Sequence, residues 1–227
     1  VKVKIISYSK PSKEIISEGL YDIQELIAFC ARVSNPANQF STATSDKLIK
    51  YLVKHQHWSP LEMVSVCLEI TTTRDIARQI LRHRSFSFQE FSQRYADPVK
   101  ELAFVLRDAR LQDPHNRQNS IDMDIQNDEH RFLTYQWEQM QQRVINEAKN
   151  AYTWAISKGI AKEQARAVLP EGLTESRLYM NGTLRSWIHY IQLRSANGTQ
   201  KEHIEIAKAC AGVIAEIFPL ASQLVEK

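Results

Sequence analysis

The chain has 227 residues, 43% of them hydrophobic and 24% charged, with a formal net charge of +3. That length supports one sizeable core or at most two small ones. The charge is too small to call for a nucleic-acid partner, no apolar run approaches the ~20 residues that span a bilayer, and six glycines with seven prolines exclude a fibrous or linker-rich chain.

Residues 1–8 alternate like a strand, with Val1, Val3 and Ile5 on one face, and do not read as a signal peptide. An amphipathic helix is expected over 20–33, broken by Asn35-Pro36. Ser45 is the expected N-cap of a helix over 46–56, with Leu48, Ile49, Leu52 and Val53 inward. Residues 64–70 alternate as a half-buried strand, with Val64, Val66, Leu68 and Ile70 on the apolar face. Thr72 and Asp75 resemble a capping box opening a helix over 73–84, whose apolar face holds Ile76, Ala77, Ile80 and Leu81. A short strand is expected within 98–106, followed by a polar lid or interface segment over 107–127.

A long helix follows over 129–157, stopped by Gly159, and its length suits a central packing element that carries subunit contacts. A short helix at 161–169 ends at Pro170. A strand over 173–180 places Thr174, Ser176, Leu178 and Met180 on one face; Asn181-Gly182 then signals a turn, and Thr183 caps a helix over 184–194. The last helix spans 200–217, where His203 reads as structural. The whole is a mixed α/β (α+β) fold, a mainly antiparallel sheet flanked by helices in one domain over 1–227. Cys30, Cys67 and Cys210 are odd in number and lack metal-type spacing, which points to a reducing cytoplasm. His55, His57 and Glu62 invite a metal reading, but no His-Glu-x-x-His pattern or third ligand set supports it, so no metal is expected.

The chemistry concentrates in Gln79 to Tyr95. Arg82, His83 and Arg84 fan out at about 100° per residue, so they cannot all sit on one helix face. Arginine suits planar, bidentate recognition of phosphates and heterocycle edges, so the stretch reads as a site for a flat anionic ligand. A solvated basic face and a non-enzymatic nucleotide- or RNA-binding module are the competing readings, the latter predicting salt-sensitive binding to polyanions.

Arg82-His83-Arg84, seven residues and then Ser92, with Gln79 upstream and Glu90 and Arg94 downstream, resembles the signature of flavin-dependent thymidylate synthases of the ThyX type. Three further segments match in order. His57-Trp58-Ser59-Pro60-Leu61-Glu62 resembles the family's short motif, although Met63 stands where a His often follows. Ala165-Arg166-Ala167-Val168-Leu169-Pro170 resembles a nucleotide-binding segment, and Asn181 to Arg194 resembles the last motif. The resemblance implies reductive methylation of dUMP to dTMP, with methylenetetrahydrofolate as carbon donor, NADPH as reductant and FAD as hydride relay. It implies FAD contacts from Ser59, Arg82, His83, Arg84, Glu90, Thr183, Arg185 and His189. It implies dUMP contacts from Gln79, Arg82, Glu90, Ser92, Gln93, Arg94, Arg166 and Arg194, with Arg194 catalytic. It also implies a homotetramer whose active sites are shared between subunits. None of the cysteines follows an activating motif, which fits chemistry without a cysteine nucleophile.

Overall fold

The computed structural model describes residues 2–224, so Val1 lies outside the described residues. In chain order the elements are β1 (Lys2–Tyr8), α1 (Lys13–Ser17), α2 (Ile23–Ala31), α3 (Ser45–Lys54), β2 (Ser65–Thr73), α4 (Arg74–Ile80), β3 (Ser87–Glu90) and α5 (Pro98–Glu101). There follow β4 (Arg110–Gln112), β5 (Ser120–Asp122), α6 (Asp128–Ser157), α7 (Lys162–Ala165), β6 (Glu175–Thr183), α8 (Leu184–Arg194) and α9 (Lys201–Ala215). Short 3-10 turns at Ser59–Glu62 and Arg166–Val168 carry two of the sequence motifs. The mixed fold expected from the sequence is present. Its main sheet runs β1-β2-β6-β3 with every neighbouring pair antiparallel, and β4-β5 form a separate hairpin.

β2 and β6 form the centre, paired from Ser65↔Thr183 to Thr73↔Glu175. Val66, Leu68 and Ile70 on one strand and Leu178 and Met180 on the other are buried on the same face. Each strand passes into a helix without a loop, α4 after Thr73 and α8 after Thr183. Because the strands are antiparallel, these junctions lie at opposite ends of the pair. Both helices return over the same apolar face, where Ile76, Ala77 and Ile80 belong to one buried cluster with Trp187, Ile188 and Ile191. At 1.5 Å per residue α4 and α8 cover roughly 10 and 16 Å of strands about 30 Å long, so their C-terminal ends must meet near the middle. That meeting point positions the site.

Several expectations shift. The helix after β2 ends at Ile80 rather than residue 84, so His83 and Arg84 belong to the turn beyond it. Its N-cap is Thr73, not Thr72, and there is no capping box: the Thr73 hydroxyl donates to Asp75 Oδ1 at 2.6 Å and accepts from Arg107. Ser45 is the first helical residue of α3, behind Thr44, and its buried Oγ has no partner. The strand expected within 98–106 is the short helix α5, N-capped by Asp97, followed by a single bridge from Phe104 to Thr174. Residues 107–127 contain the β4-β5 hairpin.

Asn181-Gly182 is not a turn but the continuation of β6. The glycine serves packing: a Cβ there would lie 2.6 Å from Phe86 Cε1, 3.2 Å from Cγ and closer still to Cδ1. Phe86 packs edge-on against Trp187 at 4.8 Å between centroids. Without the glycine, the loop after α4 could not lie against the start of α8, where Ser186 Oγ donates to Ser85 O at 3.3 Å.

The long helix α6 packs its C-terminal half through Tyr152 and Ala155 onto a second cluster with Ala165 and Leu169. Over its first five turns it leaves Phe132, Trp137, Met140 and Val144 exposed. Among the described residues no helix is long and apolar enough to cross a membrane.

Candidate active site

The sequence-derived residues fall into three groups. The first lies where α4 and α8 meet. Arg194, the last residue of α8, donates from Nε to His83 Nε2 at 2.9 Å. A guanidinium only donates, so His83 Nε2 is a bare acceptor and the imidazole is neutral. Burial first, then the Arg194 and Arg82 guanidiniums, lower His83 to about 4. The two Nη groups of Arg194 have no hydrogen bond to described residues, which leaves them for a ligand. His83 packs edge-on to Tyr190, centroids 4.9 Å apart. Tyr190 Oη lies 3.0 Å from His203 Nε2, and His203 Nδ1 lies 3.2 Å from Gln79 Oε1. Gln79 therefore joins this group through two buried side chains. Arg82 and Arg84 flank His83, exposed, with no ion pair or side-chain hydrogen bond among the described residues.

The second group surrounds β3 and the following loop. Glu90 accepts from Ser176 Oγ at 2.7 Å and stands 3.6 Å from Arg74 Nη1. Arg94 Nη2 meets Glu163 Oε2 at 3.3 Å, and Arg166 Nε donates to the Glu163 carbonyl at 3.4 Å. Ser92 Oγ accepts from the Arg94 backbone N–H at 3.4 Å. Gln93 is buried, and its Nε2 has no partner. A buried donor left unpaired costs about 1–3 kcal/mol, a cost that a phosphate or sugar oxygen would remove.

The third group lies where the Ser59–Glu62 turn packs against the first turns of α8. Arg185 is ion-paired to Glu62, and His189 sits edge-on to Trp58 at 4.6 Å between centroids. Burial and the Arg185 charge lower the His189 pKa. Ser59 is exposed at the start of its turn. The Thr183 hydroxyl accepts from Ser186 N at 3.3 Å as the cap of α8, so its oxygen is already engaged.

Arg74 was not singled out by sequence. It is the first residue of α4, where a cation opposes the helix dipole, and it is buried between Glu90 at 3.6 Å and Glu171 at 3.9 Å. A cation placed at a helix N-terminus against its dipole is the one signal that could have marked it. Arg107 was read only as part of a polar lid. It bridges Asp75 at 2.6 Å and Glu202 at 3.2 Å and donates to Gly172 O at 3.2 Å. An open cavity of about 760 Å³ lies beside this clamp, between the β4-β5 hairpin and the start of α9, and contains none of the sequence-derived site residues. Two of its cations are already neutralised, Arg110 by Glu202 and Lys201 by Asp122.

The half-buried His83 and the buried His203 make a testable contribution to stability. Burial, with Arg194 and His83 nearby, lowers His203 to about 3. Both folded values lie below the ordinary 6.5, so the unfolded chain binds more protons at mildly acid pH. This contribution is fully present above 6.5 and is lost as pH falls toward about 4 for His83 and about 3 for His203. The urea midpoint is expected to drop between about pH 7 and about pH 5, and a rise would contradict neutral burial of the pair.

Comparison with known proteins gives one consistent match. The family model described as "Thymidylate synthase complementing protein" matches residues 16–220. A probable flavin-dependent thymidylate synthase of Paramecium bursaria Chlorella virus 1 is 45% identical over 226 residues, covering 100% of this chain and 99% of the relative. A flavin-dependent thymidylate synthase of Synechocystis sp. is 47% identical over 225 residues, covering 99% of each. The crystal structure of a UMP/dUMP methylase from Streptomyces cacaoi, PolB, has the same fold, with a TM-score of 0.78 at 23% identity, covering 99% of this chain and 94% of that one.

Proposed function

The chain belongs to the flavin-dependent thymidylate synthase family, and we propose that it performs the reductive methylation of dUMP to dTMP through bound FAD. Methylenetetrahydrofolate is the carbon donor and NADPH the reductant. The observation that carries the reading is the Arg194–His83 pair, which joins the ends of two separate sequence motifs.

The donor set fits a flavin dinucleotide. Arg82 and Arg84 are exposed guanidiniums that could pair with a pyrophosphate, and Arg185 and His189 would help hold and orient the flat ring. Ser59, His83, Glu90 and Thr183 complete the proposed FAD contacts. When bound, FAD supplies the hydride that ends up in the methyl group.

The protein's own contribution is to make uracil C5 nucleophilic. That requires stabilising negative charge spread over N3 and O4. We assign this to Arg194, whose guanidinium is held by His83 with its Nη groups unengaged. A neutral His83 accepts from Arg194 without competing for charge, and a protonated one would repel it. Gln79 and Arg82 are the proposed pyrimidine-side partners. Ser92, Gln93, Arg94 and Arg166 are the proposed phosphate and sugar partners, and Arg74 with Ser176 sets the Glu90 carboxylate beside them.

Among the described residues no hydrogen bond or ion pair joins the side chains of the Arg194 group to those of the Arg94 group. The proposal includes a homotetramer in which each site draws on more than one chain, as the family resemblance implies. The exposed Phe132, Trp137, Met140 and Val144 of α6 supply an apolar face for subunit contact. A solution mass of four chains is expected by light scattering, and a monomer would remove this part of the proposal.

A visible absorption titration tests the site. The protein is expected to bind FAD, and dUMP is expected to perturb the flavin spectrum. Absence of a flavin signal at saturating FAD would overturn the assignment and favour polyanion binding.

A further inference from the structure

Gln79 is held from both sides. Its Nε2 donates to Gln200 Oε1 at 2.8 Å, and its Oε1 lies 3.2 Å from His203 Nδ1. Gln200 Nε2 donates onward to Glu202 Oε2 at 2.9 Å. Tyr190 Oη closes the other end, 3.0 Å from His203 Nε2. The direction of the whole chain follows from one group. Burial works against ionising Glu202, but its own backbone N–H, Gln200, Arg107 and Arg110 hold its carboxyl below the usual value. A carboxylate only accepts. Gln200 must therefore turn its amide nitrogen to Glu202 and its oxygen to Gln79. Gln79 must present nitrogen to Gln200 and oxygen to His203. His203 must donate from Nδ1, which leaves Nε2 to accept from the Tyr190 hydroxyl.

We propose that His203 is a positioning residue for nucleotide recognition: its Nδ1–H, donated to Gln79 Oε1, holds in place the Gln79 amide that Glu202 and Gln200 have oriented, so that the amide's second N–H and second oxygen lone pair stay directed at the pyrimidine nucleotide. His203 is fully buried on α9 and touches the nucleotide only through Gln79. Glu202, clamped by Arg107 and Arg110, anchors the chain at its far end, beside the β4-β5 hairpin. The inference rests on the reading that Gln79 contacts dUMP.

Two substitutions of similar polarity separate positioning from packing. His203→Asn keeps a donor near the place of Nδ1. His203→Gln reaches the place of Nε2 and gives up the donor near Cγ. His203→Phe keeps the ring volume and loses both. The KM for dUMP is expected to rise roughly tenfold in the Gln and Phe variants and no more than about threefold in Asn, with kcat moving less and flavin binding retained. A merely structural role would lower thermal stability without producing that order. Equal KM values in all three variants, or Gln resembling wild type while Asn resembles Phe, would overturn the inference. Neutron diffraction of the wild-type protein provides a check that needs no variant to fold. Deuterium on His203 Nδ1 and a bare Nε2 are expected, and the opposite tautomer would break the chain's direction and the inference with it. Wild-type protein that forms no dTMP would overturn the functional reading together with this inference. Active wild type with unaltered variants would overturn this inference alone.

Discussion

Arg194→Ala is expected to abolish measurable dTMP formation, a loss on the order of a hundred- to a thousandfold, while flavin binding survives. The size follows from the role. The guanidinium is held by the His83 Nε2 acceptor 2.9 Å away, so in its proposed role it would stabilise charge on the pyrimidine without reorganising. Arg194→Lys is expected to rescue little. An ammonium is a point charge and cannot keep a planar Nε–H on His83 while directing two further nitrogens to a ligand. Turnover by steady-state assay and flavin content by absorbance separate the two functions. Preserved turnover in the Ala variant would remove Arg194 from its assigned role.

Gly182→Ala is expected to cause the largest loss of stability from a single methyl group. The new Cβ would enter the Phe86 ring, 2.6 Å from Cε1, and the ring is confined by Trp187 at 4.8 Å and Tyr190 at 6.0 Å. Overpacking of this kind costs about 1–3 kcal/mol. Relief would push the loop carrying His83, Arg84 and Ser85 away from α8, so activity is expected to fall with stability. Phe86→Leu in the same chain should recover part of the loss, giving non-additive free energies in a urea-unfolding cycle. A Gly182→Ala protein as stable as wild type would show that the ring has room to move.

The parts of the fold that were legible in sequence are those whose pattern is local. Period-2 alternation placed Val66, Leu68 and Ile70 on the buried face of β2, and Thr183 marked the start of α8 because its side chain caps the helix directly. Gly182 misled for a physical reason. Asn-Gly usually signals a turn, but here the missing Cβ makes space for an aromatic ring 96 positions away in sequence. The segment after residue 98 was hard to read because distant side chains hold it. Gln141 on α6 pairs with both backbone groups of Arg107, accepting from its N–H at 2.7 Å and donating to its carbonyl at 3.0 Å. The candidate site divides in the same way. Motif spacing brought out Arg194 and His83 separately, whereas their contact depends on two helices returning from opposite ends of paired strands. Arg74 and the Gln200–Glu202 link stand outside the matched motifs and became visible only through their partners.

Formation of dTMP from dUMP by the purified protein, with methylenetetrahydrofolate and NADPH, is to be measured in the presence and absence of FAD. Product is expected only when all four small molecules are present. No dTMP in the complete mixture, or equal formation after FAD is stripped away, would contradict it.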